Sequence, residues 1–181
     1  MQAVLERLYM YEEITQEEED RYAKLQLLAL DFAREGNTKE LEKMLKYGMS
    51  VYLCTHKNDT LIMLASYKGH IETVKMLIEK RADINKTNAR GQTPLDGVCF
   101  KGNLEMVRLL VENGANIQGN PIIFATIFGN SDIVSYLKNH CVDKKSYKIL
   151  GVNVDIISNF VSFFKSFFKK QKKEAKTFQA A

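Results

Sequence analysis

The sequence predicts an all-α fold: a solenoid of about four helix-turn-helix repeats with capping helices at the N- and C-terminal ends. The first observation behind this is an internal repeat. Thr60-Leu61-Ile62-Met63-Leu64-Ala65 runs through Ser66-Tyr67-Lys68 to Gly69-His70. It returns as Thr93-Pro94-Leu95-Asp96-Gly97-Val98, running through Cys99-Phe100-Lys101 to Gly102-Asn103. Further on, Val74-Lys75-Met76-Leu77-Ile78-Glu79 returns as Val107-Arg108-Leu109-Leu110-Val111-Glu112. Both pairs share one period, about 33 residues, which is a length typical of repeat architectures. One such unit cannot bury its apolar face alone, so neighbouring units must stack. The second observation is punctuation at fixed places in the unit. Thr93 is a good N-cap because a hydroxyl can accept from a free backbone N–H, and Thr60 holds the same place one period earlier. Pro94, followed by Leu95 in the motif, suits the first helical turn, where a missing N–H costs nothing. Gly69 and Gly102 end the first helix, and Gly114 closes the second, where a left-handed turn disfavours a Cβ.

The elements follow in order. Residues 2 to 11 read as a short helix. Thr15 with Glu18 is a capping box, and it starts a helix expected from Gln16 to about Glu35. Tyr22, Leu25, Leu28, Ala29 and Phe32 share its inward stripe. Its acidic start (Glu17, Glu18, Glu19, Asp20) complements the helix dipole and gives the terminal unit a polar outer face. Gly36-Asn37 lies one period before Gly69-His70, so this helix doubles as the first helix of a degenerate first repeat. Thr38 is the expected cap of its second helix, which carries Leu41, Met44 and Leu45. The second and third repeats are the regular ones. The fourth is clipped: Gly129-Asn130 follows Gly102-Asn103 by less than a full period. Its first helix is expected to start at Pro121, and its second carries Ile133, Val134, Tyr136 and Leu137. The missing residues fall between Ile117 and Asn120. Protruding turns are therefore expected around residues 52–58 and 85–91, with a shortened one near 118–120. Ser146 to Leu150 reads as about one helical turn. Asp155 to Lys170 reads as an amphipathic helix with Ile156, Phe160, Phe164 and Phe167 on a wide apolar stripe, followed by a basic tail.

The domain boundaries are thus a repeat domain over 1–143 and a Phe-rich helix with a basic tail over 144–181. Within the first, an N-terminal cap covers 1–24, and the repeats cover about 25–57, 58–90, 91–117 and 118–143. Composition fits a soluble globular chain: 45% hydrophobic, 27% charged, net charge +4 over 181 residues. Cys54, Cys99 and Cys141 show no close pairing or metal-ligand spacing, which suits a reducing compartment and points to the cytoplasm. The start, Met1-Gln2-Ala3-Val4-Leu5-Glu6, lacks the basic segment and long apolar core of a secretory signal. No apolar run is long enough to span a bilayer.

The sequence holds no Gly-rich phosphate loop, no Gly-x-Ser-x-Gly and no His-Glu-x-x-His, so the expectation is a protein that is not an enzyme and carries no resident metal. His70 follows Gly69 where it can bond between repeats. Cys54-Thr55-His56 lies in an expected exposed turn and is the weak candidate for touching haem iron. Cys99 reads as a small apolar filler.

The repeat period, with its Thr93-Pro94-Leu95 start, resembles the ankyrin-repeat family. That resemblance implies a concave face lined by turn tips and by the exposed side of the first helices. Residue by residue, it would present Arg34 and Glu35, Tyr67 and Lys68, Phe100 and Lys101, and Ile127 and Phe128. The turns would add His56, Lys57, Asp59, Ala89, Arg90 and Gln92. Tyr67, Phe100 and Ile127 are equivalent positions, and an aromatic row flanked by Lys68, Lys101 and Arg90 reads as an interface centre. The bland alternative is that these side chains fill gaps between helices and loops. The basic flank favours an acidic partner over nucleic acid, because the repeats carry no dense basic stripe.

Over about residues 15 to 140 the chain also looks like the small bacterial ankyrin proteins sometimes encoded beside haem catalases. Asp96 in place of the usual His, and Phe100-Lys101 before Gly102, are part of that similarity. It implies an accessory role toward a haem enzyme, with Cys54, His56 or a Tyr as iron ligands. The leading expectation is a monomeric protein-protein interaction module acting as a scaffold. The tail helix is expected to cover the apolar end of the array at Ile133, Val134 and Leu137. Its rivals are a membrane-surface helix over residues 155–173 and a self-association surface.

Overall fold

The computed structural model describes residues 15–118 and 120–140, together with residues 148–149 and 152–153. Among the described residues, eight helices in four antiparallel pairs form the repeats: α1 (Gln16–Glu35) with α2 (Thr38–Lys46), α3 (Leu61–Lys68) with α4 (Ile71–Glu79), α5 (Pro94–Lys101) with α6 (Leu104–Glu112), and α7 (Asn120–Ile127) with α8 (Ser131–His140). The first helices α1, α3, α5 and α7 stack in one layer, and the second helices stack behind them. The predicted short helix at residues 2–11 and the Phe-rich helix at 155–170, with Ile156, Phe160, Phe164 and Phe167, lie outside the described residues.

The first helices α1, α3 and α5 are fixed at both ends by side-chain and backbone chemistry. Thr15 and Glu18 form a reciprocal capping box, as do Thr93 and Asp96, while Thr60 accepts from the Met63 N–H at 3.3 Å. Gly36, Gly69 and Gly102 terminate α1, α3 and α5 with φ of 80°, 88° and 81°. Gly114 lies one residue past the Asn113 cap of α6, and its left-handed backbone lets the Ala115 N–H reach back to the Leu110 carbonyl.

One continuous core runs through all four repeats, from Ala29 and Ala33 through Leu41, Leu61, Leu77, Leu95 and Leu110 to Leu137. Removing a fully buried leucine side chain such as Leu77 from water is worth roughly 1.5–3 kcal/mol, so no repeat can be cut from the stack cheaply. Polar bonds stitch the layers. Thr38 Oγ1 and the buried Thr73 Oγ1 are 2.7 Å apart. Asn85 Nδ2 donates to the Gly114 carbonyl at 3.1 Å, and Asn85 Oδ1 accepts from the Asn116 N–H at 2.8 Å.

Several expectations are corrected. Tyr22, Leu25 and Leu28 are exposed, and the buried residues of α1 are Ala29, Leu30 and Ala33. The reason is length: α1 has 20 residues against nine in α2 and eight in α3, so its partners reach only its last turns. The cap of α2 is Asn37 rather than Thr38, which is its first helical residue and spends its hydroxyl on Gly36 and Thr73. Helix α7 starts at Asn120, one residue before Pro121. Ile133, Val134 and Leu137 are buried in the common core, and the tail helix expected to cover them lies outside the described residues. Residues 148–149 are not helical: Lys148–Ile149 pairs antiparallel with Val152–Asn153. Ile149 and Val152, Cα partners in this pairing, are β-branched residues of the kind enriched in strands.

Candidate functional site

The site is built from the turns and from the ends of the first helices. Fourteen residues separate α2 from α3, and again α4 from α5, whereas seven separate α6 from α7. The two long connections fold back as tight turns with a shared hydrogen-bond plan. In the first, Thr55 Oγ1 accepts from the N–H groups of Lys57 and Asp59 at 3.2 and 3.1 Å. In the second, Asn88 Oδ1 accepts from those of Arg90 and Gln92 at 3.0 and 3.1 Å. Thr55 and Asn88 occupy the same position in successive repeats. The Asn88 amide then donates to Asp59 Oδ1 at 2.8 Å, and the Ala89 N–H donates to the Lys57 carbonyl at 2.9 Å, so adjacent turns are bolted together.

Between these turns and the first helices lies a groove of about 530 Å³. Its floor is Met63, Leu64 and Tyr67 of α3 with Pro94, Gly97 and Phe100 of α5. Its walls carry Arg34, Lys68, Arg90, Gln92 and Asp59. The Tyr67 and Phe100 rings stack at 6.4 Å between centroids with 12° between planes. Phe128 meets Phe100 edge to face at 4.3 Å and 72°. Lys101 Nζ sits 4.7 Å above the Tyr67 ring, an arrangement worth about 0.5–1 kcal/mol at an exposed site. Gly97 gives Tyr67 its place: an added Cβ would come within 3.3 Å of the ring. Tyr67 and Phe100 nonetheless remain 41% and 39% exposed.

The charges are unevenly compensated. Arg34 pairs with Asp31 on its own helix, Glu35 accepts from Asn37 Nδ2 at 2.9 Å, and Asp59 is engaged by Asn88. Lys68 and Arg90 form no ion pair among the described residues. His70 Nε2 donates to the Arg34 carbonyl at 3.0 Å, holding the end of α1 at the rim of the groove. Behind the floor, Asp96 is 2% exposed. Burial pushes its carboxyl above the usual range, while the Thr93 N–H and hydroxyl, both bonded to Oδ2, pull the other way. Cys99 is fully buried, and burial, reinforced by the Asp96 charge, drives its thiol far above the usual range.

Of the residues mapped onto this face, the groove gathers Arg34, Asp59, Tyr67, Lys68, Arg90, Gln92 and Phe100, with Lys101 and Phe128 joined to it through ring contacts. His56 and Lys57 stand exposed at the turn tip and do not line it. The last rung of the aromatic row is Phe128 and not Ile127. Asn88, which orders the second turn, is not among the residues that repeat register maps onto this face. Its trace in the sequence is the one-repeat step from Thr55. Among the described residues no three His, Cys, Asp or Glu side chains gather where they could hold a metal ion. No helix among them is long and apolar enough to cross a membrane.

Comparison with known proteins gives the class. A family model described as ankyrin repeats (3 copies) matches residues 29–120, just over half of the chain. An ankyrin repeat protein of Pseudomonas aeruginosa is 50% identical over 46 residues, which is 25% of this chain and 27% of that protein. Protein fem-1 homolog A-like of Mus musculus is 35% identical over 83 residues, 43% of this chain and 13% of that protein. The crystal structure of the human ASB11 ankyrin repeat domain superposes with a TM-score of 0.66 at 24% identity, covering 74% of this chain and 63% of that one, a likeness of fold. The chain spans about a quarter or less of the two curated relatives. The chain belongs to the ankyrin-repeat family. Ankyrin repeats generally bind other proteins, and their fold is typically a non-enzymatic interaction module.

Proposed function

We propose that the chain is a binding module that holds a segment of another protein in the groove between its turns and its first helices. The observation that supports this most is the aromatic floor. Tyr67 and Phe100 stack on one another, yet both stay about two-fifths exposed inside a concave, pre-shaped groove. Exposed aromatics beside cations are what dominate the energetics of protein interfaces. The groove needs little rearrangement on binding, because the Asn88–Asp59 bond and the Ala89–Lys57 bond already fix its wall.

The test is a pull-down from a lysate of the source cells with tagged wild type and with Tyr67→Ala/Phe100→Ala. Both side chains project from helix surfaces outside the core, so the double variant is expected to keep its helical circular dichroism. Loss of the captured partners supports the reading. Recovery of the same partners in the same amounts overturns it.

A further inference from the structure

The first helices offer two equivalent positions per repeat at their C-terminal turns. Along the stack the first position reads Arg34, Tyr67, Phe100, Ile127, and the second reads Glu35, Lys68, Lys101, Phe128. The surface therefore changes character from one end to the other. Around the first two repeats it carries Arg34 and Lys68, with Arg90 facing them from the turn. Around the last two it carries Phe100, Ile127 and Phe128, all exposed.

The lining of the groove is net positive: Arg34, Lys68 and Arg90 stand against Asp59 alone. Asp59 keeps its charge while accepting from the Asn88 amide, and Lys68 and Arg90 have no carboxylate partner among the described residues. Lys101, by contrast, spends its charge on the Tyr67 ring.

Resting on the groove reading above, we propose that the bound segment is bipolar: acidic at one end and apolar at the other. Its carboxylates lie over Lys68, Arg90 and Arg34, and its large apolar side chains lie over Phe100, Ile127 and Phe128. Stacked helices stand about 8–10 Å apart, so three steps between four repeats span roughly 30 Å, the length of about nine extended residues. Matched charge at one end sets register and partner choice, and the aromatic end supplies the anchor. Carboxylates fit this better than a nucleic-acid backbone. The cations of the lining, Arg34, Lys68 and Arg90, gather at one end of the groove and do not track a phosphate chain along it.

Fluorescein-labelled peptides of about twelve residues test this by anisotropy with the full-length protein. One peptide has a Glu-rich half and a Phe/Leu half, and is made in both chain orders. A second replaces each Glu by Lys, and a third replaces each Phe and Leu by Ser. Oligo-dT of similar length is the nucleic-acid probe. The expected result is saturable binding of the Glu/apolar peptide in one order, with the Lys and Ser versions and oligo-dT at least about tenfold weaker. Lys68→Glu/Arg90→Glu should weaken the Glu peptide about tenfold or more and favour the Lys peptide, with an unchanged melting temperature. Absence of saturable binding of either Glu peptide up to about 1 mM overturns the proposal. So does equal binding of the Lys peptide or of oligo-dT. These outcomes leave the groove reading to its own test, since the Tyr67→Ala/Phe100→Ala pull-down does not depend on the sign of the partner's charge.

Discussion

Gly36→Ala probes the joint between the first two repeats. Gly36 has φ of +80°, and a Cβ added there would lie 2.5 Å from His70 Nδ1 and 2.7 Å from its Cγ. That ring cannot move freely, because its Nε2 donates to the Arg34 carbonyl at 3.0 Å. Two costs combine. An L side chain in the left-handed region costs about 1–2 kcal/mol. Displacing His70 forfeits a partly buried hydrogen bond, about 0.5–1.5 kcal/mol, and repacks a tight contact at about 1 kcal/mol or more. The expected total is roughly 3–4 kcal/mol. Gly114→Ala is the control: its φ is +90° and nothing lies within 4 Å of the added Cβ, so it should cost only the first part, about 1–2 kcal/mol. Urea unfolding followed by circular dichroism reads both, with an unchanged slope. The excess should also disappear in a His70→Ala background, as a coupling of about 2 kcal/mol in the double-mutant cycle. Equal losses for Gly36→Ala and Gly114→Ala, or strict additivity with His70→Ala, would refute the reasoning.

Asp96 gives a pH dependence with a definite sign. Its folded pKa is raised above the ordinary 3.8, so between the two values the folded state holds more protons and the contribution of Asp96 to stability falls as pH rises. Asp96→Asn should therefore gain stability relative to wild type as pH goes from about 3 to 7, and urea midpoints that differ by a constant amount would contradict this. For the haem-accessory alternative, a binding module of the proposed kind gives no His56-dependent Soret band with micromolar haemin. A band that weakens in His56→Ala would put the haem reading in its place. For the tail, truncation after Asp143 should lower the melting temperature or cause aggregation if residues 155–170 cover the end of the array. An unchanged melting temperature, with only the full-length protein sedimenting on anionic liposomes, would favour the membrane-surface reading.

The fold class and the helix order were legible because they rest on local chemistry that repeats. A hydroxyl cap, a left-handed glycine and a helical apolar stripe each recur with the same period. What the pattern does not carry is how far a neighbour reaches. The stripe Tyr22, Leu25, Leu28 has helical spacing, yet it is exposed because the helices beside α1 are less than half its length. The choice between Asn37 and Thr38 as cap was likewise not local. Two adjacent residues were competent, and the bond of Thr38 to Thr73, 35 residues away, goes with Thr38 inside the helix. In the groove, the positions given by repeat register hold where the repeats are regular, at Tyr67 and Phe100. The register holds in the clipped fourth repeat too: Phe128 meets Phe100 as Lys101 meets Tyr67, the second position of one repeat over the first position of the repeat before. Asn88 shows in the sequence only as the one-repeat step from Thr55, because its amide works through a bond to Asp59 in the preceding turn, 29 residues back.

The bonds that stack the repeats are also the bonds that shape the groove. His70 fixes the Arg34 carbonyl and with it the basic end. Asn88 fixes Asp59 and the wall from which Arg90 projects. Asn130 donates to the Cys99 carbonyl at 2.7 Å, one residue from Phe100, and so fixes the aromatic end. Each joins one repeat to the next, so each couples stability to the spacing of the groove's side chains. In the proposed binding role, a groove held this way loses little conformational freedom, and most of the ordering cost falls on the partner segment. A chain that depended on mobile loops to make the same contacts would bind a short segment weakly, because each immobilised side chain costs about 0.5–1.5 kcal/mol. The groove is therefore better suited to a short extended segment than to a broad, flat protein surface, whose contacts would have to reach beyond the walls that Asn88 and Asp59 hold in place.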